Sequence, residues 1–324
     1  MELYAAMRGG LLVADEAGTT EIRLDSHDLE CVAATPDHVF CGTFDAGLFR
    51  SDDGGETFHA VGRGTIRESV MSLAIDPTDP KTVWVGTEPS AVYRSEDAGE
   101  SWEQREGLTD LPSEPHWSFP PRPHTHHVRW IEPDPHDPEH LYVGIEAGAL
   151  VQTHDAGETW EDRVPDARLD NHSLTTHPEA PNRVWSAAGD GYAESVDGGE
   201  TWAYPQDGLD HRYCWSVAVV PDDPDTVLVS SATGPRTAHN ADAAESYVYR
   251  KRNGKPWKRL DSLETGASVT RAVFAVDELN GKLYAVTNRG IFRTEDAGTT
   301  WEPLDLEWPP EFERQTARGL AVVP

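Results

Sequence analysis

Apolar and polar positions alternate along this chain in short runs, and the runs recur. Stretches such as Thr82-Val83-Trp84-Val85-Gly86-Thr87 and Lys282-Leu283-Tyr284-Ala285-Val286-Thr287 read as strands rich in β-branched and aromatic residues. Between them stand breaker clusters: Ile75-Asp76-Pro77-Thr78-Asp79-Pro80, Glu132-Pro133-Asp134-Pro135 and Val220-Pro221-Asp222-Asp223-Pro224. Such clusters end β pairing and turn the chain. No window sustains the apolar period of about 3.6 residues that a helix needs. The pattern predicts an all-β protein.

One eight-residue pattern punctuates the strands five times. It reads Ser/Thr-x-Asp-x-Gly-x-Ser/Thr-Trp/Phe, at residues 51–58, 95–102, 153–160, 195–202 and 294–301. Its Asp and Ser/Thr side chains can bond nearby backbone N–H groups, its Gly supplies a φ that other residues resist, and its aromatic packs under the turn. Two decayed copies, at 14–21 and 250–257, complete the series. The aspartate position then falls at 16, 53, 97, 155, 197, 252 and 296. A step of about 47 residues with several strands per unit marks a β-propeller, here of seven blades. The chain opens on Leu3-Tyr4-Ala5-Ala6, which aligns with a second strand. The missing first strand is Arg318-Gly319-Leu320-Ala321-Val322-Val323-Pro324 at the other end. Blade one is therefore expected to join both termini and close the ring, so that residues 1–324 make a single domain.

The boxes resemble the Asp-box (BNR) repeats of sialidases, sortilin-type receptors, certain xyloglucanases and photosystem assembly factors. The resemblance spans nearly the whole chain and implies the propeller fold, with the boxes at outer turns away from the ligand face. Asp53, Asp97, Asp155, Asp197 and Asp296 accordingly take structural roles. Each turn also offers too few carboxylates for a calcium loop. A sialidase should carry an Arg-Ile-Pro segment and six blades; this chain has no such segment and seven repeats, so it reads as a non-sialidase member. Its length gives room for one propeller, where the resembling xyloglucanases join two.

Charge narrows the partners. Asp and Glu number 57 against 27 Lys and Arg, a net charge of −30. No broad basic surface for nucleic acid is expected. Five lysines among 27 cations, with this acidity, fit a salt-adapted, haloarchaeal protein. Three cysteines without metal spacing, Cys31, Cys41 and Cys214, fit a reducing compartment. No signal peptide or long apolar segment is legible, so a cytoplasmic protein without membrane association is expected.

Candidate chemistry gathers at the expected channel mouth. Aligned on their terminal Pro turns, the first strands of blades one to seven place one column there: Arg318, Glu30, Met71, His127, His172, Trp215 and Arg271. The next position is small in six blades, with Val128 the exception. Arg271 and Arg318 could form a forked donor site for an anion, and Trp215 a flat face for a sugar. His127 and His172, with an acid such as Glu146, could move protons or bind a divalent metal. The plainer alternative is that these residues pair with Glu30, Glu88 and Glu146 and line a wet channel. Residues 111–126 form an insertion that should fold over this face, bringing Arg122; His124 and His126 within it have a spacing that can suit a metal. A second insertion, 233–242, should overhang the same mouth with Arg236, and Tyr213 enters from the same side. The expected function is binding of a small anionic or sugar-like ligand, without a required cofactor. The alternatives are a carbohydrate-active enzyme of glycoside hydrolase or lyase type, and a scaffold for a protein partner.

Overall fold

The computed structural model describes residues 1–15 and 17–324. Glu16, in the first decayed box, lies outside the described residues. Seven antiparallel sheets follow one another, and the first is ordered Ala317–Val323, Glu2–Met7, Gly10–Asp15, Thr20–Arg23. The two ends of the chain thus pair in one blade, as expected: Glu2 lies opposite Val323 and Ala6 opposite Gly319. Blades two to seven occupy 29–61, 69–105, 128–153, 171–195, 213–260 and 273–303. Blades four and five keep three strands, their outer edges reduced to the bridges Gln152–Glu161 and Glu194–Ala203.

Each sheet has two apolar faces, so each must be covered twice. Among the described residues, seven clusters of buried side chains meet this need, one between each pair of neighbouring blades. Leu3 and Ala5 pack with Tyr284 and Val286 between blades seven and one, so the ring is closed by core packing as well as by strand pairing. Trp84 and Trp185 are fully buried in two of these layers, and burying such a side chain contributes roughly 2–3 kcal/mol. No helix among the described residues is long and apolar enough to cross a membrane.

The five repeated turns share one set of hydrogen bonds. At residue 97 the carboxylate accepts from Ser101 N–H (2.8 Å), Ser101 Oγ (2.6 Å) and Ser95 Oγ (2.8 Å), while Ser95 Oγ accepts from Gly99 N–H (2.8 Å). Asp53, Asp155, Asp197 and Asp296 repeat it. The glycine is needed because its φ is 87° at Gly99 and 84° at Gly157. In the decayed copy of blade one, Asp15 accepts from Ala17 and Thr19 N–H, each at 2.9 Å.

What positions the hub is a recurring slip. In the first strands the pairing register jumps past one residue: Arg318, Glu30, Met71, Arg129, His172 and Trp215 in blades one to six. A bulge of this kind re-aims the side chain it carries. The following residue is small in five of these blades, with Trp130 of blade four the exception. Ser72 Oγ donates to Val128 O (2.9 Å), and Ser173 and Ser216 accept from Val217 and Phe274 N–H (3.0 and 3.1 Å). In blade four the slip falls at Arg129 and not at His127, the column residue expected there, although both line the cavity at the mouth. Two prolines stand two residues apart there, and the strand aligns on Pro135, not Pro133.

Candidate functional site

The bulged residues ring the channel, and a cavity of about 340 Å³ opens above them. Arg8, Arg122, Arg129 and Arg318 line it, with Asp28, Glu30 and Glu146 among them. Phe44, Phe119 and Trp215 supply apolar wall. Four converging arginines stand out in a chain of net charge −30. Below, the channel narrows to about 60 Å³ between Glu30, Met71, Arg129 and Arg318. It widens again at the far end into a more apolar cavity of about 510 Å³ that Glu132 also lines.

The arginines divide by how they are held. Arg8 pairs with Asp28 at 3.2 Å and is largely exposed. Arg122 grips Glu88 through two bonds of 2.5–2.6 Å and lies between the rings of Phe44 and Phe119, each 4.8 Å away. Residues 111–126, the insertion expected to fold over this face, are thereby tied to Glu88 at the mouth. Arg318 and Arg129 share Glu30 at 3.2 and 3.8 Å. Each of them keeps a buried Nε–H with no hydrogen-bond acceptor. Arg271 departs from expectation. It is fully buried and does not line the cavity. Its Nη1 donates to Ala317 O (2.6 Å), and its guanidinium lies 3.6 Å from the Trp215 ring. The fork expected of Arg271 and Arg318 is therefore replaced at the cavity by Arg129 and Arg318. Trp215 also differs from a bare platform. Arg129 lies 4.7 Å over the same indole, so this ring holds guanidiniums in place.

Two polar chains run through the wall. In the first, His127 is wedged between acids, with Nε2 2.9 Å from Glu146 Oε2 and Nδ1 3.3 Å from Glu88 Oε2. Burial works against the imidazolium, but the bonds to Glu146 and Glu88 outweigh it and raise the pKa. Glu88 is held at about 2: burial opposes its ionisation, and the bonds from His127 and Arg122 prevail. Burial also opposes the ionisation of Glu146, yet its pKa is held well below the carboxylate range, by the bond from His127 first and by the charge of Arg129. An anion so stabilised is a poor proton donor, which removes Glu146 from the general-acid role open to it in the sequence.

The second chain is directional. Arg271 can only donate, so its Nε–H fixes His239 Nδ1 as acceptor at 3.0 Å. His239 Nε2–H then donates to Tyr213 Oη (2.9 Å), which turns the hydroxyl towards His172 Nε2 at 3.4 Å. His172 Nδ1–H donates to Cys214 O at 2.6 Å. Burial lowers the His172 pKa to about 4, so the ring is neutral. Tyr213 sits in the wall without lining the cavity, and burial pushes its pKa up. Arg236 is exposed and off the cavity; its helix, Pro235–His239, contributes His239 instead. His124 is exposed, and His126 is committed to Ser90 Oγ (2.8 Å) and Glu114 (3.2 Å). Among the described residues one trio has metal-ligand spacing, Glu146, Asp170 and His172, and neither His124 nor His126 belongs to it. Arg129, His239 and Asp170 are the site residues that the sequence columns missed. For Arg129 the signal was the second proline of Pro133-Asp134-Pro135; for Asp170 it was the alternate spacing Asp170-x-His172.

No protein-family model matches the chain, and no curated protein matches it. Solved structures do. A GH74 enzyme of Niastella koreensis superposes with a TM-score of 0.71 at 18% identity, over 94% of this chain and 52% of that one. The GH74 xyloglucanase of Xanthomonas campestris gives 0.65 at 17%, over 98% and 52%. YCF48 bound to D1 peptide gives 0.60 at 15%, over 91% of this chain and 92% of that one. The chain spans about half the length of these GH74 structures and nearly all of YCF48. At such identities the likeness establishes the fold, a seven-bladed β-propeller, and leaves the chemistry to the site.

Proposed function

We propose that the channel mouth binds a small ligand carrying a carboxylate, sulfate or phosphate, with a sugar-like body against Phe44 and Phe119. The observation that carries this reading is the pair Arg129 and Arg318: both line the cavity, and both leave a buried guanidinium N–H without an acceptor. An anion in the cavity would pair with both guanidiniums, whose hydrogen bonding is incomplete. Glu30, between the same arginines, would hold them apart and favour ligands that also offer hydroxyl donors. Binding fits better than hydrolysis, because Glu146 is held ionised and, among the described residues, the cavity carboxylates Asp28, Glu30 and Glu146 are not set up as an acid and base pair. In this reading the turns are Asp boxes of a single, salt-adapted cytoplasmic domain.

The test is calorimetry and thermal shift in molar KCl with glucuronate, glucose 6-phosphate and uncharged glucose. The acids should bind and glucose should not. Arg129→Gln and Arg318→Gln should each weaken binding by about 10-fold or more, as loss of a charge-assisted hydrogen bond does. Equal responses to acid and neutral sugars, or binding unchanged in both variants, would defeat the proposal. A second reading is a peptide partner, favoured by the full-length match to YCF48 bound to D1 peptide. Response to carboxylate-bearing peptides with silence to sugar acids would select it.

A further inference from the structure

We propose that Glu146, Asp170 and His172 form a binding site for one divalent metal ion of the zinc class, in the channel wall between blades four and five. This goes beyond the anion-binding reading and does not depend on it. The three side chains come from different places: the turn after the strand Asp137–Ile145, the approach to the strand Asn171–Thr175, and that strand's bulge. Their ligand atoms lie within 4.8 Å of one another.

Each residue spends one atom on an orienting partner and leaves the other facing the same point. His172 gives Nδ1–H to Cys214 O at 2.6 Å, so Nε2 carries a lone pair. Glu146 gives Oε2 to His127 and leaves Oε1 3.8 Å from that Nε2. Asp170 gives Oδ1 to Ala147 N–H at 3.0 Å and leaves Oδ2 3.8 Å from the same nitrogen. Metal ligands are held by second partners in this way. The nearby cations do not compete, since both His127 and Arg129 approach Glu146 through Oε2.

The three facing atoms are all acceptors, and the one donor aimed among them, Tyr213 Oη–H, reaches only the nitrogen, at 3.4 Å. Two carboxylate oxygens turned towards one buried nitrogen are unfavourable without a cation among them. At 3.8 Å a shared proton cannot link them as a hydrogen bond. Ligands about 2.0–2.3 Å from a tetrahedral ion stand about 3.3–3.8 Å apart, so an inward shift of about 1 Å at most closes the triangle. Tyr213 Oη, 3.4 Å from Nε2, is near enough for the fourth position. Gly189 makes the space: a Cβ there would stand 1.9 Å from Asp170 Oδ2. The Asp170 side chain is 30% exposed, which gives an ion its way in.

The experiment uses the full chain stripped with chelator in molar KCl and titrated with ZnCl2 by calorimetry, with Co2+ absorption as a second readout. One ion per chain should bind, and Co2+ should develop the visible bands of a low-symmetry, four-coordinate site. Asp170→Asn should weaken Zn2+ by 10-fold or more, while its circular dichroism stays that of the parent. If the parent takes up no Zn2+, or if Asp170→Asn binds it as tightly, the site is refuted. His172→Gln provides a second ligand test, read the same way once its folded spectrum is confirmed.

Discussion

The imidazole of His127 lies 2.9 Å from Glu146 and 3.3 Å from Glu88, and this one ring neutralises two acids of the channel wall. Glu88 in turn holds Arg122 of the segment over the mouth. The first prediction follows. His127→Ala leaves two buried carboxylates facing each other, and breaking a buried ionic group in this way costs about 3–5 kcal/mol. Thermal or urea unfolding in molar KCl should show a correspondingly lower midpoint. A change under about 1 kcal/mol would mean that water replaces the ring without loss.

The repeated turns should act locally. Ser95 is buried and bonds both Asp97 and the Gly99 N–H. Ser95→Ala should cost about 1–2 kcal/mol, the range for losing buried hydrogen bonds. Ligand and metal affinity should not change, since the turn lies at an outer corner of its blade. Calorimetry on the variant checks the second half of this expectation.

Glu132, at the far end of the channel, makes stability depend on pH. Burial pushes its pKa up to about 7, although Trp130 and Thr176 donate to it. The folded state therefore holds this proton more tightly than the unfolded state does. Stability contributed by Glu132 is full below about pH 4.5, falls as pH rises towards about 7, and is absent above it. Glu132→Gln should remove that slope, a difference on the order of 2–3 kcal/mol between the two ends of the window. Urea midpoints of parent and variant at pH 5 and pH 8 test the sign.

Gly189→Ala should separate folding from metal uptake. Its backbone is not in the left-handed region, so alanine fits the chain, but the new Cβ displaces Asp170 Oδ2. Zn2+ affinity should drop by about 10-fold or more, as for loss of an oriented ligand, with the unfolding midpoint within about 1 kcal/mol of the parent. Unchanged Zn2+ binding would contradict the placement of Asp170.

Much of this was legible in the residues. The period of the boxes carried the blade count, and the strand sequences at the two ends carried the closure. The hub column coincides with the register slips in five blades, where slip and terminal proline keep a fixed spacing. It failed in blade four because Pro133 and Pro135 both satisfy that spacing, and only packing against Val128 and Ser72 decides between them. His127 still reached the cavity, from one turn of the strand away. Arg271 was placed at the correct hub position, but its depth was not legible. What buries it is His239, delivered by a short helix that lacks any apolar period in the sequence. Asp170 was missed because it precedes its strand, where no column constrains it. The tautomers of His172 and His239 depend on Cys214 O and Arg271 Nε, contacts between blades that sequence spacing does not encode.

The strand Ala317–Val323 both hydrogen-bonds to the first strand of the chain and carries Arg318 into the mouth. One strand thus serves as both latch and wall, so a ring in which it has not docked lacks Arg318 at the mouth, and the cavity takes its shape only when the wheel is locked.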